Sequence, residues 1–353
     1  KISDAALDGI DLSRWEVAYN GSEVVRVATL DRFCERFGPY GFRREAFYPC
    51  YGMAETTLIV SGGRRGEAPT TLELDRRSIA EGKAVDAGGD TDPMVLVSCG
   101  TPVIGEMRIV DPDSHQPLAS DEIGEIWLTG DSIAQGYFQG DAETSHTFQA
   151  TLADDPSGNQ RFLRTGDLGF LRDGELFVTG RIKDLIKVRG VNRYPQDIEQ
   201  SVERAVPECV GQVAAFAYER DDEERLVVLA ETESLPIEEA RQVVLAIRKT
   251  VAKDHAIQVD AVALVRKSTI PRTSSGKTQR FECRQAFVDD TLDEYLRWEN
   301  LNESVPLNGI SNGRPRSDVL NEVFAVVKEV AGDRVTTLTG DSILSELGLD
   351  SLE

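Results

Sequence analysis

Apolar and polar positions change period several times along the chain, and each change marks an element. WEVAY (15–19) is a short β-prone run ended by Asn20, Gly21, Ser22 and Glu23, after which VVRVATLDRFCERFG has helical spacing and a glycine stop. A strand, a glycine turn and a helix are predicted there. From Arg64 to about Asp92 no period is sustained and the text is polar and glycine-rich, which predicts a long surface insertion. Between Met107 and Val178 the runs MRIV, EIWL and ELFV alternate with the turn signals DPDS and RDGE, predicting antiparallel strands and hairpins.

After Gly180 the pattern becomes α+β. LIKV leads to the helix YPQDIEQSVERAV, with Ile198, Val202 and Val206 on one face, then to the strands QVAAFAY and RLVVLAE, the helix IEEARQVVLAIRKTVAK and the strand DAVALVR. This predicts a separate small domain whose pattern ends near Phe287. Asn300 to Arg316 is rich in Asn, Ser, Gly and Pro and reads as a linker. Beyond it, SDVLNEVFAVVKEVAG sets Val319, Leu320, Val323, Phe324, Val326, Val327 and Val330 on one helical stripe, with Ser317 as N-cap and Gly332 as stop. That is the expected start of a third, helical domain, incomplete as it stands.

Composition narrows the function classes. Among 353 residues, 39 Lys and Arg face 61 Asp and Glu, a net charge of −22. So acidic a chain lacks the basic footprint that nucleic-acid binding needs. No apolar run is long enough for a transmembrane helix. Cys34, Cys50, Cys99, Cys209 and Cys283 show no C-x-x-C spacing, and His115, His146 and His255 lie far apart, so local zinc spacing is absent and a reduced, cytoplasmic chain is expected. The opening KISDAALDGIDLSRW has no signal-peptide pattern, and the N-terminus reads as a cut inside a larger protein.

Four short motifs carry the chemistry: YGMAE (51–55), TGD (165–167), GRIKDLIKVRG (180–190) and PRTSSGK (271–277). Their order and spacing resemble the adenylate-forming superfamily of acyl-CoA synthetases, amino-acid adenylation domains and luciferases. NGSE (20–23), YGMAETTLIVSGG (51–63), the long insertion and VNRYPQDIE (191–199) are similar to its fatty acyl-AMP ligase branch, over about residues 1–297. At the other end, GLDSLE (348–353) resembles the modification site of acyl carrier proteins.

The resemblance implies an α/β and α+β multidomain chain. Residues 1–180 would be the C-terminal part of a large adenylation domain with a β-rich subdomain and an insertion at about 64–92. Residues 181–297 would be a small mobile lid domain, 298–316 a linker, and 317–353 the N-terminal part of an acyl carrier domain. The implied activity is ATP-dependent conversion of a fatty acid to acyl-AMP and transfer to a phosphopantetheine thiol of its own or a downstream carrier domain, beside polyketide or fatty acid synthase modules. The Ser/Thr/Gly/Lys-rich phosphate loop and most of the acyl pocket are expected before Lys1, so the fragment is expected to be incomplete for activity and chain length is not legible.

Role by role, Lys277 after a Ser-Ser-Gly turn would neutralise carboxylate and α-phosphate oxygens, since such reactions run on positioning and charge neutralisation. Asp167 would accept hydrogen bonds from two ribose hydroxyls, Glu55 would hold Mg²⁺, Tyr51 would offer a flat face to adenine, and Gly21, Ser22 and Glu23 would form the turn beside it. Arg181 would reach the nucleotide and Lys183 would be the hinge. Ser351 would carry 4′-phosphopantetheine, installed by a phosphopantetheinyl transferase. Each residue also has an ordinary alternative: a solvated loop Lys, an Asx-turn Asp, a helix-surface Glu, a core Tyr, a linker cation. Ala54 stands where the superfamily often has Thr; Thr56 or Thr57 could replace that hydroxyl, and the resembled branch accepts Ala there. The competing functions are an acyl-CoA synthetase using free coenzyme A and a catalytically silent scaffold presenting the carrier.

Overall fold

A parallel strand pair sets the first sheet. β1 (Ala18–Asn20) passes through the glycine turn and α1 (Val27–Phe37) to β2 (Phe47–Met53), which pairs with it in parallel, Ala18 opposite Phe47. α1 is held by its aromatic stripe: Phe33 packs edge-on to Phe42 with centroids 4.8 Å apart, beside the buried Leu30. Antiparallel β3 (Leu58–Gly62) follows. The chain then runs through β4 (Thr71–Leu74), α2 (Arg76–Ala80) and β5 (Met94–Val97) to β6 (Thr101–Pro102), which completes the order β1-β2-β3-β6 while β4 and β5 pair with each other. This computed structural model describes residues 2–300 except 90–92, 104, 156–157, 189–190, 210–211, 221–222 and 274–275. The segment expected to be a carrier domain, with Ser351, and most of the expected linker lie outside the described residues.

The 64–92 segment is more ordered than its sequence suggests. Leu74, Ile79 and Ala84 are buried in one cluster with Phe170, Phe177 and Tyr194, and Asp75 caps α2 by accepting the Ser78 N–H at 2.7 Å. A four-residue strand and a five-residue helix are too short to register a period.

The predicted hairpins form the second sheet. β7 (Glu106–Val110), β8 (Gly124–Thr129), β9 (Leu163–Arg172) and β10 (Glu175–Arg181) lie antiparallel in the order β10-β9-β8-β7, with α3 (Asp141–Phe148) between β8 and β9. β9 is the strand that periodicity missed, because Thr165, Gly166, Asp167 and Gly169 interrupt it.

Past β10 and one 3-10 turn, β11 (Ile186–Val188) and β12 (Val191–Arg193) form a small ladder ahead of α4 (Pro195–Ala205). β13 (Val213–Arg220), β14 (Glu223–Thr232), α5 (Ile237–His255), β15 (Ala261–Arg266), α6 (Arg280–Val288) and β16 (Glu294–Glu299) complete it, with sheet order β13-β14-β15-β16. Strand alternation decides which helix covers which face. Val262 and Leu264 join Ile198 and Val202 of α4 and Val244, Ile247 and Val251 of α5. Ala261, Ala263 and Val265 join Cys283 and Phe287 of α6 on the other face. α6 packs on this sheet and β16 pairs with β15 as its edge strand, ending at Glu299. Trp298 there lies 3.7 Å beneath the Arg248 guanidinium.

Ion pairs join the region before β11 to the region after it. Arg26, just ahead of α1, reaches Glu203 of α4 at 2.9 Å, and Arg76 of α2 pairs with Asp197 of α4.

Candidate active site

Asp167 is placed by a break in strand register. β8 pairs Glu125 with Leu168 and Trp127 with Arg164. Ile126 alone therefore faces Thr165, Gly166 and Asp167, and β9 bulges outward by two residues. The Thr-Gly-Asp stretch is thus a bulge inside a ten-residue strand. Gly166 has φ +70°, a left-handed conformation that favours glycine, and a Cβ built there would meet nothing within 4 Å. Space above the bulge is open.

A second bulge brings Arg181 to Asp167. β10 pairs Val178 with Gly169 and Gly180 with Leu168, so Thr179 is extra and Arg181 falls opposite Asp167. Arg181 Nε donates to Asp167 Oδ1 at 2.7 Å, while the buried Tyr51 hydroxyl donates to Oδ2 at 2.7 Å. Each carboxylate oxygen holds one donor and keeps a second lone pair, so the group retains room for two more hydrogen bonds. The Asp167 charge raises the pKa of Arg181. Burial, then the same charge, hold the Tyr51 phenol well above its ordinary range, so it stays a neutral donor. Tyr51 is 9% exposed and its ring packs with Val60, Cys99 and Met107; its hydroxyl is held by Asp167, with the Thr165 hydroxyl beside it.

Glu55 follows from the same strand. At Gly52 a Cβ would lie 1.6 Å from the Leu58 carbonyl oxygen, so only glycine lets the chain fold back. The turn ends in two non-glycine residues at positive φ, Thr57 (60°) and Leu58 (95°), a strained segment directly after Glu55. Glu55 Oε1 accepts the Tyr137 hydroxyl at 2.9 Å; burial, then Glu55, push that phenol up to about 12. Both threonine hydroxyls near Ala54 are engaged by backbone carbonyls. Thr56 Oγ1 donates to Met53 O at 2.9 Å and Thr57 Oγ1 to Ser132 O at 2.8 Å.

The glycine turn lies alongside. A Cβ on Gly21 would come within 2.7 Å of the Cys50 carbonyl oxygen, Ser22 has φ +76°, and residues 21–23 are exposed. Being just past the carboxyl end of β1, they occupy the kind of position where open α/β sheets bind ligands.

Lys183 is exposed in the 3-10 turn Ile182–Asp184 that follows β10. Lys277 lies in a turn where its N–H donates to Thr273 Oγ1 at 3.0 Å. Among the described residues its ammonium makes no bond to Tyr51, Asp167 or Arg181. The structure therefore brings Tyr51, Asp167 and Arg181 into contact, sets Gly21 against Cys50 beside Tyr51, and leaves Lys277 and Lys183 outside that cluster.

Sequence reasoning missed Tyr137 and Glu125. Tyr137 has no motif around it, but a Glu inside the strand run EIWL was a usable signal, because a carboxylate in a buried strand requires partners. As for Mg²⁺, no group of three His, Cys, Asp or Glu side chains converges among the described residues. Mg²⁺ on nucleotides is commonly held by one or two carboxylates with phosphates and water, and the half-buried Glu55, oriented by Tyr137, fits such a single ligand.

Residues 2–138 match the AMP-binding enzyme family, and residues 183–296 match the AMP domain of the Disco-interacting protein 2-like family. The medium-chain-fatty-acid–[acyl-carrier-protein] ligase JamA of Moorena producens is 45% identical over 296 residues, which is 81% of this chain and 49% of that protein. The 4-hydroxyphenylalkanoate adenylyltransferase of Mycobacterium marinum is 37% identical over 299 residues, 82% of this chain and 48% of that one. A solved structure from work on fatty acyl-adenylate ligases of E. coli and L. pneumophila aligns with TM-score 0.72 and 31% identity, covering 82% of this chain and 50% of that chain. The L. pneumophila fatty acyl-adenylate ligase in complex with acyl adenylate and pyrophosphate aligns with TM-score 0.52 and 39% identity, covering 85% and 52%. The chain spans about half the length of the curated relatives it matches. Among the described residues, no helix is long and apolar enough to cross a membrane.

Proposed function

The chain belongs to the adenylate-forming superfamily, in its fatty acyl-AMP ligase branch, and from that membership we propose that it serves the ATP-dependent activation of a fatty acid for transfer to an acyl carrier thiol. In the first step a carboxylate oxygen attacks the α-phosphorus, the bond to pyrophosphate breaks, and acyl-AMP and pyrophosphate result. In the second a thiolate attacks the acyl carbon and AMP leaves with the bonding electrons.

The observation that carries this reading is the Asp167 carboxylate. It is anchored once on each oxygen, by Arg181 and by Tyr51, below an open bulge at Gly166. Two unfilled acceptor positions on one rigid carboxylate match a vicinal diol such as the 2′- and 3′-hydroxyls of ribose. Exposed backbone at Gly21, Ser22 and Glu23 is the proposed adenine edge. Tyr51 acts mainly through its hydroxyl on Asp167. Glu55, aligned by Tyr137, would hold Mg²⁺, which supplies charge neutralisation to the phosphates when bound.

Lys277 sits on a turn, free of the Asp167 cluster, and is proposed to enter the site when the region after Lys183 turns, adding its charge as pyrophosphate leaves. Arg181 is already committed to Asp167 and would keep that carboxylate oriented. The acceptor is proposed to be 4′-phosphopantetheine on Ser351 or on a downstream carrier of a lipid or polyketide assembly line. JamA's own name as an acyl-carrier-protein ligase supports this over free coenzyme A. The deciding experiment is intact-mass measurement of the full-length protein with ATP, Mg²⁺ and a fatty-acid panel, after a phosphopantetheinyl transferase and coenzyme A. One pantetheine arm and then one acyl group are expected. Absence of both acyl-AMP and pyrophosphate release across the panel would overturn the reading.

A further inference from the structure

We infer that Glu125 is a positioning residue for nucleotide binding: its carboxylate holds the Gly166 amide and so sets the bulge that aims Asp167. This rests on the ribose reading of Asp167 and deepens it.

A bulge leaves backbone groups without ladder partners, and an unpaired N–H in a buried sheet is costly. At this bulge, side chains replace the ladder. Glu125 Oε1 accepts the Gly166 N–H at 3.0 Å, and Thr165 Oγ1 accepts the Asp167 N–H at 3.0 Å while donating to Ile126 O at 2.8 Å. Glu125 is 2% exposed, on the strand facing the bulge. Its other oxygen, Oε2, is fixed by three donors: Trp127 Nε1 at 2.9 Å, Arg164 Nε at 2.9 Å and Arg164 Nη2 at 2.7 Å. Arg164 is anchored in turn by the Pro112 carbonyl at 3.2 Å. With Oε2 clamped, Oε1 has one direction left, toward Gly166.

The arrangement is more than core satisfaction. The Gly166 contact falls on the residue whose left-handed φ turns the chain toward Asp167. Glu125 touches neither the Asp167 side chain nor the open space above Gly166. Any effect it has on a ligand must pass through the backbone.

The test uses the full-length protein and compares KM for ATP with KM for 3′-deoxy-ATP in fatty-acid-dependent pyrophosphate release, alongside thermal melting. Loss of one hydrogen bond to a charged acceptor should cost wild type about tenfold to a hundredfold in this ratio. In Glu125→Gln, whose amide weakens both the Arg164 clamp and the Gly166 contact, the ratio should fall toward unity. Trp127→Phe removes one of the three donors to Oε2 and leaves the Gly166 contact in place, so it should lower the ratio less than Glu125→Gln does. Glu125→Asp keeps the charge facing Arg164, withdraws the oxygen from Gly166, and should lower the ratio where Glu125→Gln does not fold. Hydrogen exchange in wild type gives a check independent of any variant, since the Gly166 amide should be protected despite its open position. A folded Glu125→Gln protein that keeps the full ratio, or a freely exchanging Gly166 amide, overturns the positioning role. Wild type with no ratio at all overturns the ribose reading itself, and the inference with it.

Discussion

Arg280 lies just beyond Lys277 in sequence, and its guanidinium closes on the buried Glu199 carboxylate through two hydrogen bonds of 2.8 Å. Glu199 is 1% exposed and also accepts the Ala215 N–H at 3.1 Å and Arg26 Nη2 at 3.5 Å, while Arg280 Nη1 reaches Asp184 at 3.4 Å. Burial works against the charge of Arg280, yet Glu199 outweighs it and raises the pKa. Glu199 and Arg280 together thus tie the start of α1, the turn after β10, α4, β13 and the helix that follows Lys277.

Breaking that pair from one side leaves a buried charge uncompensated. Glu199→Ala should therefore lose about 3–5 kcal/mol of stability. Replacing both partners, Glu199→Met with Arg280→Met, should lose clearly less, because no orphan charge remains. Urea unfolding of the single and double variants measures this, and equal losses would show that packing, rather than charge pairing, governs the site.

Lys277→Ala should behave in the opposite way. The contact from this residue within its turn is its backbone N–H to Thr273, which alanine preserves. Stability should stay within about 0.5 kcal/mol, as for surface changes in general. Pyrophosphate release in the full-length protein should drop by roughly 10²- to 10³-fold, the loss typical of a charge-stabilising donor. Parallel melting curves and initial rates check both halves.

These residues also show where the sequence was legible. Ile198, Val202 and Val206 repeat at helical spacing because α4 buries one face, and all three are buried as expected. The hairpin runs were readable because short apolar runs bounded by turn signals report buried strands. What escaped were features that depend on distant partners. Thr165, Gly166 and Asp167 look like a turn, and only their register against Glu125 and Trp127 makes them a bulge. Leu74 and Ile79 are too few to make a pattern, and their burial depends on Phe170 and Phe177 nearly a hundred residues on.

His255 gives the fold a pH dependence. It is buried, with Nε2 2.9 Å from Ser201 Oγ and Nδ1 3.6 Å from Asp197 Oδ2. Facing it are Asp197 of α4, Arg76 of α2, Arg193 of β12 and its neighbour Asp254. Burial lowers its pKa, Asp197 and Asp254 oppose, and Arg76 and Arg193 assist. The neutral form is favoured in the fold, so the unfolded chain binds the extra proton first. Stability is full above the unfolded value, about 6.5, and is lost as pH falls through the lowered folded value. Urea midpoints of wild type should decline over that interval relative to those of His255→Asn, which lacks the titration. Parallel profiles would remove His255 as the cause.

The contact between Arg76 and Asp197 makes the 64–92 segment a restraint on the region after β10. Tyr194, next to α4, reinforces it by packing into the same cluster as Leu74 and Ile79. Deleting the segment is a poor test, because Phe170 and Phe177 would lose their cover. Arg76→Ala removes the charge and leaves Leu74 and Ile79 in place. Asp197 then keeps the His255 contact and the nearby charge of Arg193, and α4 is held less firmly. If movement of this region admits the thiol, a loosened restraint should widen the range of acceptors. A lost charge-assisted contact of about 1.5–3 kcal/mol allows roughly a tenfold shift or more in the populations of the two arrangements. Formation of acyl-AMP by the full-length Arg76→Ala protein should persist, while acyl-coenzyme A, measured by mass spectrometry with free coenzyme A as the sole thiol, should rise severalfold over wild type. A folded variant that makes acyl-AMP at the wild-type rate and forms no more acyl-coenzyme A would place acceptor choice elsewhere, in contacts that Arg76 does not control.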